Sequence, residues 1–217
     1  RVWRETELKS VARIASDHGL FVISDEIHCD LVLGGHRHLP ALAWAGESLG
    51  ERLALLHAPS KTFNMAGLQT SAVAIPGAEA GRRFEAEADR LGLHNPNAFG
   101  AGAAVAAWRS GGPWLDALLA YLGANADWLA KEVPLAVPDL VLRRPEATFL
   151  AWIDARAYLG RAGSEGKLGE TVARRSRLWL DDGAKFGTGG AGWLRLNFGC
   201  PRSTLEEALD LLKKALA

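Results

Sequence analysis

Residues 5–26, ETELKSVARIASDHGLFVISDE, decide the fold class. Leu8, Val11, Ala12, Ile14 and Ala15 recur at helical spacing, which predicts an amphipathic helix over residues 5–18. Gly19 stands where a glycine closes a helix C-terminus. Leu20, Phe21, Val22 and Ile23 then form a continuous apolar run that passes through Ser24 into Asp25 and Glu26. Such a run suits a buried strand of a parallel sheet. Helix, glycine and buried strand in succession are the rhythm of an α/β fold.

The same rhythm continues outward from this stretch. Residues 53–57 (LALLH) and 71–75 (SAVAI, closed by Pro76 and Gly77) are two further candidate buried strands. Helices are expected over 79–91, 97–109 and 113–131, the last with Pro113 in its first turn. After Pro134 the texture changes. Residues 140–142, 148–153 and 193–198 are strand-like, and 167–178 are helical. Ser203 and Glu206 have the spacing of a capping box that opens a final amphipathic helix. This predicts two domains, 1–125 and 126–217, the second a smaller α+β unit. Trp108, Trp114 and Trp128 fall on predicted helices and are expected to fill cores.

Composition narrows the function classes. The 217 residues carry 25 basic and 25 acidic side chains. A net charge of zero gives no pull toward nucleic acid or an anionic membrane. No apolar run approaches the roughly 20 residues that a membrane helix needs. Cys29 and Cys200 form no CxxC pair, and two isolated thiols point to a reducing compartment, the cytoplasm. His28, His36 and His38 are accompanied by no ligand set of zinc-like spacing, so no metal is expected. The 187–190 segment, GTGG, lacks the Lys-Ser/Thr of a phosphate loop and precedes a strand, so it reads as a turn. The chain opens on Arg-Val-Trp-Arg and enters a helix at once, which suggests that it begins in mid-fold.

Chemistry is sought at strand ends, because ligands of open α/β sheets bind outside the carboxyl ends of strands. The first strand leads into Asp25-Glu26-Ile27-His28, and the second into Ala58-Pro59-Ser60-Lys61. An isolated Asp there is more often a cap, and an isolated Lys more often a solvated surface residue.

The local sequences point further. Residues 60–69 (SKTFNMAGLQ) resemble the lysine motif of fold-type-I pyridoxal-phosphate (PLP) enzymes, the class I/II aminotransferase superfamily. Asp25-Glu26-Ile27-His28 resembles the motif that meets the cofactor's ring nitrogen in that superfamily. Residues 193–199 (WLRLNFG) resemble its substrate-carboxylate arginine strand. Within the superfamily, VISDEIHCDLVL, APSKTFNMAGLQ and LRLNFGCPRSTLEEAL are most similar to bacterial C–S β-lyases of the cystathionine β-lyase type.

The resemblance implies the C-terminal part of a PLP-binding large domain with a mostly parallel sheet over 1–125. A small α+β domain over 126–217 follows it. It implies PLP held by Lys61, with Lys61 also the catalytic base. Asp25 would face the ring nitrogen, Ser60 the phosphate and His28 the phenolic oxygen. Arg195 would bind the carboxylate of an amino-acid substrate. The implied reaction cleaves cystathionine-like cysteine conjugates to a thiol, pyruvate and ammonia, in a homodimer. An aminotransferase of the same fold is the alternative, and a chain inactive on its own is a third reading. Gln69 stands where many aminotransferases carry a phosphate-binding arginine, which favours the lyase. Enzymes of this family are about twice as long, so part of the cofactor site would lie outside these residues.

Overall fold

The structure, a computed structural model, describes residues 1–93, 97–161 and 167–217. The chain divides into two compact units, Arg1–Leu118 and Leu119–Ala217. The division falls inside a long helix, a little before the expected boundary at residue 125.

The first unit begins with α1 (Glu5–Asp17). Glu7 accepts the Arg4 backbone N–H at 2.9 Å and so closes the helix N-terminus. At the other end Gly19 takes φ +63°, the left-handed region its lack of a Cβ permits. The chain then enters β1 (Val22–Asp25), α2 (Ala41–Trp44), α3 (Gly46–Leu49) and β2 (Leu53–His57). After these come β3 (Ala72–Ala74), α4 (Ala78–Arg90) and α5 (Ala98–Ser110). Ala12 and Ala15 of α1 pack with Ala41, Ala45, Leu49 and Leu53 into one core cluster, flanked by Val22, Trp44 and Leu55. The small alanines let α1 lie close to α2 and α3, while Leu53 supplies apolar area to bury.

The sheet order is β1-β2-β3. The β1–β2 pairing is parallel, with Val22 opposite Leu53 and Asp25 opposite Leu56. The β2–β3 pairing is antiparallel, so the sheet is mixed where a mostly parallel one was expected. The reason is the connection. Between β2 and β3 lies one 3-10 turn, Ala66–Leu68, and no crossover helix; a parallel return ordinarily requires such a crossover. Nor are these strands covered on both faces. Val22 and Ser24 are half-buried, but Ile23 is 65 % exposed and all of β3 is exposed.

A helix α6 (Gly112–Ala136) crosses the division and runs on past the predicted end at 131, with Pro134 in its last turn. Burial of Leu129, Val133 and Val137 carries the helix through the proline. In the second unit β4 (Val141–Leu142), β5 (Leu150–Asp154), β6 (Asp181–Asp182) and β7 (Trp193–Asn197) form an antiparallel sheet ordered β4-β5-β7-β6. Ala151, Ile153, Leu194 and Leu196 face the core, on which α7 (Leu168–Ser176) and α8 (Arg202–Leu216) pack. The predicted cap of α8 is corrected. Its N-cap is Pro201, and the Arg202 N–H is accepted by the Tyr121 hydroxyl at 2.8 Å, so Ser203 sits within the first turn.

Two of the three tryptophans are also corrected. Trp108 and Trp114 are 44 % and 48 % exposed. Trp108 stacks on His57 and Trp114 meets Phe63 at a tilt, each at 5.6 Å between ring centroids, not within a core. The 187–190 segment is a turn, closed by Gly190 N–H to the Gly187 carbonyl. Its Gly190 backbone lies against Gly183, where a Cβ would come within 2.0 Å of a carbonyl oxygen. Among the described residues no helix is long and apolar enough to cross a membrane.

Candidate active site

Parallel pairing of β1 with β2 puts the turns after both strands at one end of the sheet. Asp25 closes β1 and is exposed; its Oδ1 accepts the Ile27 N–H at 3.2 Å. His28 lies in the same turn, half-buried, with its carbonyl accepting from Leu31 N–H. Beyond β2, the Ser60 carbonyl accepts the Met65 N–H at 3.0 Å and the Pro59 carbonyl accepts the Phe63 N–H at 2.8 Å. These bonds coil the lysine segment into consecutive turns. Asn64 and Gln69 complete them at φ +54° and +48°. Lys61 is exposed. Neither Lys61 nor Asp25 has an ion pair among the described residues.

Two side-chain links stitch the turns together. The Thr62 hydroxyl, fully buried, donates to Asp30 Oδ2 at 2.9 Å. Cys29 Sγ meets His57 Nδ1 at 3.5 Å. Burial, then the nearby Asp30 carboxylate, push the Cys29 thiol up to about 12. It is therefore neutral, and no nucleophile, near pH 7.

Glu26 anchors the first turn from below. It is 5 % exposed and pairs with His38 Nε2 at 2.9 Å. It also accepts from the Ala41 N–H at 2.7 Å and the Ser24 hydroxyl at 3.0 Å. Burial alone would raise its pKa, but the bonds from His38, Ala41 and Ser24 together hold the carboxyl below the usual glutamate range. His38 is thus the partner of a buried carboxylate.

Cavities divide these residues unevenly. Asp25 and Glu26 line one of about 320 Å³, with Trp3, His38 and Trp44. Neither His28, Ser60 nor Lys61 lines it. A larger apolar groove of about 650 Å³, between Ile23, Leu56, Val73 and Phe84, contains none of the predicted site residues.

Arg195 belongs to the second unit, on β7 opposite Trp152. Its Nε and Nη2 both donate to Asp181 Oδ2, at 2.9 and 2.6 Å. The Phe186 ring lies 4.5 Å from the guanidinium carbon. Lys185 also pairs with Asp181. The bonds from Lys185, then those from Arg195, hold the Asp181 carboxyl below the usual aspartate range. Asp181 escaped the sequence reading because β6 is two residues long and shows no periodicity. Thr62 and Asp30 escaped it because only the strand pairing brings them together.

A sequence profile of the family described as Aminotransferase class I and II matches residues 1–212. The chain belongs to that family. Its curated relatives include the cystathionine β-lyase PatB of Bacillus subtilis (strain 168), 38 % identical over all 217 residues and 55 % of the relative. Among solved structures it is similar to cystalysin from Treponema denticola, which contains a pyridoxal 5'-phosphate cofactor. The TM-score there is 0.92 at 31 % identity, over 100 % of this chain and 54 % of that one. It is also similar to the PLP-bound C–S lyase from Staphylococcus hominis, with TM-score 0.93 at 28 % identity and the same coverage. The chain spans about half the length of the curated relatives it matches.

Proposed function

We propose that these residues supply the lysine-bearing part of a PLP-dependent C–S β-lyase acting on cystathionine-like cysteine conjugates. The observation that carries this reading is one of placement. Lys61 and Asp25, neither with an ion pair among the described residues, sit in the turns that follow neighbouring parallel strands. These donors fit a cofactor with an aldehyde and a basic ring nitrogen. The relatives named as C–S lyases match over the whole chain, which favours lyase over aminotransferase.

In this reading PLP, when bound, supplies the electron sink that makes the substrate Cα–H acidic. Lys61 would hold the cofactor and, once released, take the Cα proton through its amine. Asp25 would keep the ring nitrogen protonated. Ser60 would donate to the phosphate, and His28 would face the phenolic oxygen. Arg195 would bind the substrate carboxylate. Its Nη1 edge suits this, because Asp181 already takes Nε and Nη2. Overall, a cysteine conjugate and water give a thiol, pyruvate and ammonia. The enzyme would work as a cytoplasmic homodimer; the free Cys29 and Cys200 support a reducing compartment.

The test uses the protein at the full length of these relatives, with PLP and L-cystathionine and no added keto acid. Pyruvate and ammonia are expected in equal amounts, and Lys61→Ala abolishes both. Turnover only in the presence of a keto acid would overturn the lyase reading in favour of the aminotransferase. A further reading is that the 217 residues are inactive alone, and the exposed apolar Leu20, Phe21 and Ile23 favour it. Pyruvate release by the isolated chain with PLP and L-cystathionine, lost in Lys61→Ala, would refute it.

A further inference from the structure

Three chemically different donors converge beneath the turns that carry Asp25 and Lys61. Cys29 Sγ lies 3.5 Å from His57 Nδ1 and 3.7 Å from Asp30 Oδ1. One ligand atom from each residue falls within 4.8 Å of the other two. We infer that Cys29, Asp30 and His57 form a binding site for a thiophilic divalent cation of the Zn²⁺ class, with one coordination position left open.

The distances carry the argument. A tetrahedral zinc holds sulfur at about 2.3 Å, nitrogen at about 2.0–2.1 Å and oxygen at about 2.0–2.2 Å. With tetrahedral angles those bonds set the S···N and S···O edges at about 3.5–3.6 Å. The two sulfur edges found here match to about 0.1 Å, and the third, between His57 and Asp30, lies within 4.8 Å. The donor types also suit a borderline-soft cation: one thiolate, one imidazole and one carboxylate.

Each ligand is oriented by a neighbour, as ligands in metal sites usually are. The His57 ring is stacked on Trp108 at 5.6 Å and 21°. The second oxygen of Asp30 is fixed by the buried Thr62 hydroxyl. The Cys29 N–H donates to the Glu26 carbonyl at 3.0 Å. Glu26 and Asp30 both disfavour a bare thiolate here, whereas a cation reverses that local sign and deprotonates the thiol on binding. No ligand spacing along the chain announces this set. It exists because β1 and β2 pair in parallel and bring residues 29–30 next to residue 57. It is independent of the role given to Lys61.

Plain hydrogen bonding, thiol to Asp30 and imidazole to sulfur, is the competing account, and metal analysis separates the two. The full chain is dialysed against Zn²⁺ and retained metal is counted by atomic emission, with X-ray absorption on the bound zinc. One equivalent per chain is expected, its shell containing one sulfur at about 2.3 Å and nitrogen or oxygen at about 2.0–2.1 Å. Cys29→Ser and His57→Ala should each weaken binding at least tenfold, while His36→Ala, an exposed histidine, leaves it unchanged. Circular dichroism verifies that each variant is folded. Should Cys29→Ser prove unfolded, the sulfur in the wild-type shell decides alone. No retained zinc, a shell without sulfur, or full binding by folded Cys29→Ser overturns the site.

Discussion

The Thr62 hydroxyl donates to Asp30 Oδ2 at 2.9 Å, and it joins the residue after Lys61 to the turn that holds Asp25 and His28. Thr62 is fully buried, so water cannot replace it as a donor. Thr62→Val keeps the shape and removes the hydrogen bond to a charged acceptor. The expected loss is ~1.5–3 kcal/mol, read as a lower urea midpoint with unchanged slope. Thr62→Ser, which keeps the hydroxyl, should recover most of it. Equal midpoints for wild type and Thr62→Val would remove this bond as a link between the turns.

Glu26 and Asp25 are neighbours with opposite jobs. Glu26 satisfies His38, the Ala41 N–H and the Ser24 hydroxyl from a buried position. Glu26→Ala leaves those groups without their acceptor and is expected to cost about 3 kcal/mol or more. Asp25 is exposed and makes one local backbone bond. Asp25→Asn should alter stability by less than about 0.5 kcal/mol, yet lower the activity of the full-length protein. Denaturation curves beside pyruvate release separate the two. A large stability loss in Asp25→Asn would make that residue structural.

These two residues also show where the sequence was readable. The helix–glycine–strand pattern of residues 5–26 placed α1, β1 and the acidic turn. Motif likeness singled out Lys61 and Arg195. What could not be read was whatever depends on three-dimensional closure. The antiparallel β3 follows from a connection without a helix, and β6 is too short to show a period. The ring partners of Trp108 and Trp114, His57 and Phe63, lie outside their own helices. The Cys29–Asp30–His57 cluster and the Asp181–Arg195 pair are products of strand pairing, which the linear pattern does not contain.

Gly111 lies against the lysine segment. A Cβ there would stand 2.3 Å from Phe63 Cε1 and 2.5 Å from the Ala107 carbonyl oxygen. Gly111→Ala must therefore displace Phe63, two residues from Lys61, at an expected cost of about 1–3 kcal/mol. Gly102, within α5, has nothing within 4 Å of its Cβ position. Gly102→Ala should instead stabilise by up to about 1 kcal/mol through helix propensity. Thermal melts of the pair should move in opposite directions. Two upward shifts would show that the α5 C-terminus relaxes freely around residue 111.

Asp181 gives a pH dependence of fixed sign. Its carboxyl is held below the ordinary value of 3.8 because the bond from Lys185, helped by Arg195, outweighs the opposing effect of burial. A depressed carboxyl contributes stability that is complete above the unfolded pKa and disappears as pH falls through the folded one. Asp181→Asn should therefore be less stable than wild type at pH 7, by roughly 1–2 kcal/mol. The gap should hold down to about pH 5 and close progressively below about pH 4. Melting temperatures of both proteins across that range measure it. A gap that persists undiminished well below the folded pKa would mean that the asparagine perturbs packing around Phe186 and Arg195, and that the charge on Asp181 contributes little.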